Sequence, residues 1–285
     1  MPIDPEKAVG YTFPSVSAQW GQDQVILYHL GIGAGVPATD PSELAYTYEK
    51  NLKVLPSFGV IPVLGGALAG LGQVPGLQFN FALLLHGEQD IEIHKPIPVA
   101  AKVQSVGKVA AIYDKKKAAL VILEVETKDE KGEKLFTNRL SLFLRGEGGF
   151  GGDAGPKVGF EAPQREPDRV VETPILPQQA LLYRLSGDKN PLHCDPDFAK
   201  LAGFDKPILH GLCSFGVACR AAVDHLLSGD TTKVARYRAR FAGVAFPGET
   251  LVTSIWREGD QLLLQTQAKE RNSPVITNAA IWVRR

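Results

Sequence analysis

Three side chains suited to acid–base chemistry lie within six residues of the stretch YRLSGDKNPLHCDP, residues 183–196. They are the carboxylate of Asp188, the carboxamide of Asn190 and the imidazole of His193. The Gly-Asp and Asn-Pro pairs favour a tight loop, because these residues are strong turn formers. A carboxylate beside an imidazole can take up and return a proton. The same residues could equally form ordinary Asx turns, so the stretch alone leaves both interpretations open.

The segments that follow this loop would hold it rigidly. Asp195 can cap a short helix that has Pro196 at its first position. Residues 210–228 predict a longer helix that is apolar around most of its circumference, and such a helix should be buried. At its start, the amide of Gly211 has no side chain beside it, and the helix N-terminus carries partial positive charge. A carbonyl oxygen that gains negative charge could be stabilised there.

A change in composition divides the chain. Residues 146–168 contain seven glycines and three prolines, which predicts a linker between an N-terminal half, 1–145, and a C-terminal half, 169–285. The two halves end alike, in FTNRLSLFLRG (136–146) and ITNAAIWVRR (276–285). Both endings place Thr-Asn before an alternating apolar strand that finishes at an arginine. This weak but ordered repeat predicts a duplicated fold.

Strand patterns dominate both halves, and the clearest are residues 118–127, 235–242 and 261–270. One buried helix followed by antiparallel strands predicts an α+β fold in which a sheet wraps around the helix, the hot-dog arrangement. Duplication then predicts a double hot-dog. The counterpart helix in the first half, residues 57–72, is interrupted by glycines, so we expect the N-terminal copy to be degenerate.

Composition excludes several classes of partner. The 31 basic and 31 acidic residues give a net charge of zero, whereas a nucleic-acid-binding protein usually shows a basic excess. Three cysteines without a C-x-x-C pair favour a reducing compartment. The N-terminus lacks the pattern of a signal peptide, and no apolar stretch is long enough to cross a bilayer. We therefore expect a cytoplasmic protein that binds neither nucleic acid nor membrane.

The loop motif YRLSGDKNPLHCDP, together with PILHGLCSFG, resembles the (R)-specific enoyl-CoA hydratases of the hydratase 2 type, within the MaoC-like hot-dog dehydratases. The resemblance extends to YHLGIGAG, LHGEQDIEIHKPIP and GEGGFGG, and so covers most of the chain. It implies reversible hydration of trans-2-enoyl-CoA to (3R)-3-hydroxyacyl-CoA. No cofactor is expected. No metal is expected either, because His193 and His210 are 17 residues apart with no third candidate ligand close by.

The resemblance also implies roles for the loop residues. Asp188 and His193 would hold and activate water, one taking its proton while the other delivers a proton to the α-carbon. Asn190 would orient this pair. The amide of Gly211 would bind the thioester oxygen as enolate charge develops, which is the stabilisation that addition of water to a conjugated thioester requires.

The substrate contacts are likewise implied by the resemblance alone. His86, Gly87, Lys115 and Phe241 would contact the acyl-CoA thioester, and the modified N-terminal half would house the acyl chain. Duplication lets one chain mimic a dimer of single hot-dog domains, and a further homodimer is expected. A row of arginines at positions 236, 238 and 240 is open to two interpretations: contact with the CoA phosphates, or the solvated side of an edge strand.

Three alternative functions remain open. A (3R)-hydroxyacyl dehydratase of fatty-acid elongation, acting on acyl carrier protein, would use the same active site. A thioesterase would need a carboxylate that directs water at the carbonyl carbon. A non-catalytic acyl-CoA-binding module would have no use for the Asp188, Asn190 and His193 set.

Overall fold

Ten strands form one continuous antiparallel sheet in the computed structural model, which describes residues 3–156 and 159–284. Their order across the sheet is β1-β3-β4-β5-β2-β7-β10-β9-β8-β6. The strands are β1 Val16–Trp20, β2 Leu84–Ile93, β3 Ala101–Asp114, β4 Ala118–Asp129, β5 Lys134–Arg145, β6 Arg169–Pro174, β7 Val234–Phe241, β8 Thr250–Glu258, β9 Gln261–Ala268 and β10 Ser273–Val283.

The two halves of the sheet have the same topology. From the centre outward, the first half runs β2-β5-β4-β3-β1 and the second half runs β7-β10-β9-β8-β6. Each strand of the second half therefore takes the place of the strand five numbers lower in the first half. The Thr-Asn pairs that end the two sequence repeats fall in the corresponding strands β5 and β10. The predicted double hot-dog fold is confirmed.

Strands β2 and β7 join the two halves at the centre of the sheet, and their outward faces carry matched charges. Arg236 bonds to Asp90 with Nε 2.9 Å from Oδ1, and Arg240 bonds to Glu88 with Nε 2.7 Å from Oε1. Arg238 pairs with Glu88 as well. The edge-strand interpretation of this arginine row is therefore wrong, because β7 lies between β2 and β10. The three arginines are engaged with carboxylates of the other half.

Helices cover the inner side of the sheet. The α-helices are α1 Pro5–Ala8, α2 Gln22–Gly31, α3 Pro41–Thr47, α4 Ile61–Gly70, α5 Gln179–Tyr183, α6 Pro196–Leu201 and α7 Gly211–Leu226. The 3₁₀ turns are Pro56–Val60, Leu71–Gln73, Phe81–Leu83, Arg184–Ser186, Pro191–His193 and Thr231–Lys233. Across the described residues, no helix is long and apolar enough to cross a membrane.

Helix α7 is the buried helix that the sequence predicts. Most of its residues are buried, and it packs against all five strands of the second half. Phe215 of α7 stacks on Tyr237 of β7 with ring centroids 4.0 Å apart, and the Tyr237 hydroxyl donates to the Phe215 carbonyl at 3.2 Å. This packing fixes the start of the helix relative to the centre of the sheet.

The first half has only a broken counterpart of α7, as expected. The 3₁₀ turn Pro56–Val60 leads into α4, and the 3₁₀ turn Leu71–Gln73 follows it. Glycines let the N-terminal segment lie close to α4: a Cβ at Gly70 would come within 2.5 Å of the Phe13 ring, and one at Gly66 within 3.1 Å of Val16. Close packing therefore replaces helix propensity in this copy.

The glycine-rich junction is folded against the turn between β3 and β4. The carboxylate of Asp114 accepts amide hydrogen bonds from Gly149 at 2.9 Å, Gly151 at 2.8 Å and Lys116 at 2.7 Å. These bonds, chiefly those from Gly149 and Gly151, hold the pKa of Asp114 below its usual range. The division of the chain at residues 146–168 into two domains stays a prediction, because one sheet runs through both halves.

Candidate active site

The loop between α5 and α6 is built from two consecutive Asx turns. Gly187 has φ 131°, a backbone conformation that side-chain-bearing residues rarely adopt. Oδ1 of Asp188 then accepts from the amide of Asn190 at 3.1 Å, and Oδ1 of Asn190 accepts from the amide of Leu192 at 3.0 Å. The ordinary Asx turns that were one of the two interpretations of the sequence are therefore present. Each turn uses a side-chain oxygen that an Asp and an Asn both possess, so it does not by itself explain the carboxylate.

His193 is held in one tautomer. Its side chain is buried, and Nδ1 lies 2.9 Å from the main-chain oxygen of Ile208. Because a carbonyl only accepts, Nδ1 carries the hydrogen and Nε2 keeps a lone pair. Burial lowers the pKa of His193, and the nearby Asp188 carboxylate partly opposes that effect. The ring is therefore a neutral imidazole with Nε2 able to accept a proton at neutral pH.

Asp188, His193 and His210 form a cluster in which one ligating-type atom from each lies within 4.8 Å of the others. The expectation that the two histidines lack a third candidate nearby is therefore wrong: the loop folds back and brings Asp188 to them. The two imidazoles stack with centroids 3.7 Å apart and planes 27° apart. An imidazole binds a metal in its own plane, so stacked rings direct their nitrogens poorly at a common ion.

Helix α7 begins beside this cluster. Gly211 is its first residue and is exposed, and no bond from its amide to another described residue is present. Such an amide is one of those that an α-helix leaves unpaired. A Cβ at Gly211 would lie 3.2 Å from the Phe241 ring. The position therefore offers a free N–H donor, flanked by an aromatic ring, at the positive end of the helix dipole.

The first half contributes His86 to the same region. Its ring meets that of Phe241 edge to face, with centroids 5.1 Å apart, and its Nε2 lies 3.1 Å from the oxygen of Glu88. Burial lowers the pKa of His86 to about 4, and the charge of Asp188 partly opposes this shift. His86, Phe241 and Gly211 thus form a row of contacts beside the catalytic loop predicted from the sequence.

Two predicted substrate contacts are placed differently. Gly87 lies at a bulge between β2 and β5, and a Cβ there would come within 2.7 Å of the Phe143 ring, which gives the glycine a packing role. Lys115 lies in the turn after β3, and its ammonium group bonds to the main-chain oxygen of Ala154. No described hydrogen bond or ion pair joins Lys115 to the loop. The substrate-binding roles of both residues stay predictions.

Sequence reasoning gave no role to two residues that belong to this site. His210 immediately precedes Gly211, and its ring packs on Tyr183 with centroids 4.9 Å apart as well as on His193. Tyr183 is the first residue of the loop motif. Both lie inside the motifs quoted above, so their sequence positions were the only signal available for them.

The buried histidines predict that stability falls as the solution becomes acidic. Burial lowers the pKa of His29 and of His86 to about 4 and that of His210 to about 3, against 6.5 in the unfolded chain. Below pH 6.5 the unfolded state therefore binds more protons than the folded state, so protonation favours unfolding. We expect the urea midpoint to decrease between about pH 7.5 and about pH 5.5, where few carboxylates titrate.

The matched control for this experiment is His29→Phe, which removes one buried imidazole far along the chain from the loop. Its midpoint should vary less with pH than that of the unmodified chain, because one fewer group takes up protons only on unfolding. A midpoint that stays constant or rises on acidification in the unmodified chain would contradict neutral burial of these rings.

A continuous ten-stranded sheet, one largely buried helix and a polar loop at the start of that helix define a double hot-dog protein with a candidate acid–base site. Residues 19–146 match the MFE-2 hydratase 2 N-terminal domain, and residues 159–279 match the MaoC like domain. The chain therefore belongs to the MaoC-like dehydratases of the hydratase 2 type, which are hydro-lyases.

Individual relatives are similar over nearly the full chain. Enoyl-CoA hydratase ChsH3 of Mycobacterium tuberculosis is 45% identical over 277 residues, covering 97% of both chains. The 3-hydroxyacyl-thioester dehydratase Y of the same organism is 45% identical over 268 residues, covering 90% of this chain and 88% of its own. The crystal structure of a MaoC-like dehydratase from Phytophthora capsici aligns with a TM-score of 0.87 at 31% identity, covering 99% and 98%.

Proposed function

We propose that this protein catalyses the reversible hydration of trans-2-enoyl-CoA to (3R)-3-hydroxyacyl-CoA. The observation that carries the proposal is the cluster of Asp188, His193 and His210 at the start of α7, directly before the exposed amide of Gly211. It supplies an acid–base pair and an oxyanion donor in one place, as addition of water to a conjugated thioester requires. The name of the 45% identical enoyl-CoA hydratase supports the same substrate class.

In the proposed mechanism, Asp188 and Nε2 of His193 hold one water molecule. Its oxygen adds to the β-carbon of the enoyl group while one of the pair takes its proton. The electrons of the double bond move towards the thioester oxygen, where the amide of Gly211 stabilises the enolate charge. The proton taken from the water is passed across the pair, and the other member delivers it to the α-carbon. Both groups therefore end in their starting protonation states, one water is added and no cofactor is consumed.

The remaining roles follow the geometry of the loop and the first half. Asn190 acts through its turn, because its main-chain N–H is the donor from which the Asp188 carboxylate accepts a hydrogen bond. We place the reacting end of the acyl group beside His86 and Phe241, which are in contact with each other. Gly87 and Lys115 are proposed to contact the acyl-CoA further from the reacting carbons.

The test is hydration of crotonyl-CoA and of a longer trans-2-enoyl-CoA, followed as loss of the enoyl absorbance. Chiral analysis of the product should give the (3R) alcohol. Absence of turnover on both substrates, or a (3S) product, would overturn the proposal. Release of free CoA from a saturated acyl-CoA would instead identify a thioesterase, and tight acyl-CoA binding without any turnover a binding module.

His193→Gln is expected to lower kcat for this hydration by about 10²–10⁴-fold, because a carboxamide cannot exchange the proton that Nε2 exchanges. Glutamine can still donate to the Ile208 carbonyl, so we expect the variant to fold. Steady-state kinetics on crotonyl-CoA, with circular dichroism to check folding, measure the effect. Turnover within twofold of the unmodified chain would remove His193 from the mechanism.

A second candidate function is dehydration of (3R)-hydroxyacyl thioesters in fatty-acid elongation, with the acyl group carried on acyl carrier protein rather than on CoA. The 45% identity to a 3-hydroxyacyl-thioester dehydratase favours it. The chemistry is the reverse of the hydration above, so the carrier distinguishes the two functions. A kcat/KM at least tenfold higher on the acyl-carrier-protein thioester than on the CoA thioester would select this candidate.

Assembly and location are proposed from the sequence only. We propose a homodimer, which light scattering coupled to size exclusion tests directly. We also propose a cytoplasmic location, which fractionation of the source cells tests.

A further inference from the structure

His210 is a buried imidazole that the proposed mechanism does not use. Its side chain is 1% exposed and lies where the loop meets the start of α7. It is the residue before Gly211 and forms no side-chain cap on the helix. A role in helix capping therefore does not account for it.

Only one of the two ring nitrogens of His210 has a hydrogen-bond partner among the described residues. Nε2 lies 3.3 Å from the main-chain oxygen of Asp188 and, because that oxygen only accepts, carries the hydrogen. Nδ1 is buried and has no hydrogen-bond partner among the described residues. A buried polar atom without a partner is destabilising, so an apolar ring of similar shape would be expected to stabilise the fold at least as well.

His210 is also unsuited to proton transfer. Burial, the neighbouring His193 ring and the charge of Arg184 lower its pKa to about 3, while its bond to the Asp188 carbonyl opposes them. The ring is therefore neutral at physiological pH and does not compete with His193 for protons.

We propose that His210 is a positioning residue that ties the loop to the start of α7, so that Asp188 and the Gly211 amide act on the same substrate molecule. The inference rests on the function proposed above. The His210 ring makes a hydrogen bond to the main-chain oxygen of Asp188, and the carbonyl carbon of His210 is covalently bonded to the nitrogen of Gly211. One side-chain hydrogen bond can therefore hold Asp188 close to the Gly211 amide. Stacking on His193 aligns the second member of the acid–base pair with the same ring.

The test compares two substitutions that separate the donor from the ring. His210→Phe keeps a ring that can stack on His193 but cannot donate to the Asp188 carbonyl. We expect kcat for crotonyl-CoA hydration to fall about 10- to 100-fold, the size of loss that a displacement of about 1 Å causes, with KM changed by less than about threefold. The urea midpoint should change little, because removal of the unpartnered nitrogen offsets loss of the bond to the Asp188 oxygen.

His210→Gln restores a donor without the ring, and we expect it to recover kcat to within about fivefold of the unmodified chain. His29→Phe is the control variant: it removes another buried histidine whose ring bonds a main-chain oxygen, Nδ1 to Tyr46 at 2.8 Å. The His29 ring has no described hydrogen bond or ring contact with Asp188, His193 or His210. It should keep the unmodified kcat per folded molecule. If His210→Phe does not fold, His210→Met takes its place as the variant without a donor.

Wild-type kcat in His210→Phe, or an equal loss in the Phe and Gln variants, would overturn the inference. With Asp188→Asn inactive in the same assay, that result would leave the proposed function standing. No hydration by the unmodified chain would instead overturn the proposed function and this inference with it.

Discussion

Asp188→Asn is expected to lower kcat for crotonyl-CoA hydration by about 10²–10⁴-fold while the fold survives. The carboxylate is the group that the mechanism needs, since a carboxamide neither carries charge nor takes up a proton. The turn needs only an oxygen acceptor for the Asn190 amide, and asparagine provides one in the same place. The substitution therefore separates the catalytic from the structural interpretation of this residue.

The matched control is Asp230→Asn. Asp230 forms the same kind of turn, with Oδ1 3.0 Å from the amide of Thr232, but lies after α7, at the opposite end of that helix from the loop. Both variants should have similar urea midpoints, because each keeps its turn acceptor. Only Asp188→Asn should lose activity. If both variants retain crotonyl-CoA turnover, the Asp188 side chain serves only to form the turn, and the acid–base assignment fails.

The sequence was sufficient to predict the parts of the site that lie close together along the chain. Asp188, His193 and Gly211 fall within 24 residues, and the apolar circumference of the helix that follows indicates burial whatever the rest of the fold. A rigid loop ahead of a buried helix leaves few places for these groups to lie. Helix α6, capped by Asp195 as expected, holds the far end of the loop.

The sequence could not reveal what the first half contributes. Strand β2 carries Glu88 and Asp90 on its outward face, and their arginine partners on β7 are about 150 residues away in sequence. The charges on both strands make sense only once the halves are paired. For the same reason, no local sequence pattern predicted a role for His86, which was implied by the family resemblance alone.

The role of His210 could not be predicted from the sequence for a different reason. Its bond is to the main-chain oxygen of Asp188, and a main-chain acceptor leaves no mark on residue type. Its distance from His193 in sequence also suggested isolation, whereas the two rings stack. Contacts to backbone atoms and between stacked rings are set by how the loop folds back, which composition and spacing do not encode.

The oxyanion assignment predicts a second large effect, because the amide of Gly211 can be removed without changing a side-chain donor. Gly211→Pro deletes this N–H, and we expect kcat to fall about 10²–10³-fold, equivalent to roughly 3–4 kcal/mol. Helix α7 should tolerate the change, since proline is favoured at a first helical position. His210 before it already has φ −60° and ψ 133°, the extended conformation that a following proline requires.

Gly211→Ala is the control that isolates the N–H from the added carbon. Alanine keeps the amide but brings a Cβ within 3.2 Å of the Phe241 ring, as proline does, so it reproduces the crowding caused by that carbon. The ring carbons Cγ and Cδ and the loss of the N–H are specific to the proline variant. We expect the alanine variant to lose far less kcat than the proline variant on crotonyl-CoA. Equal losses in the two would show that crowding against Phe241 is responsible. The thioester oxygen would then need a hydrogen-bond donor other than the Gly211 amide, because the start of α7 would no longer explain how the enolate charge is stabilised.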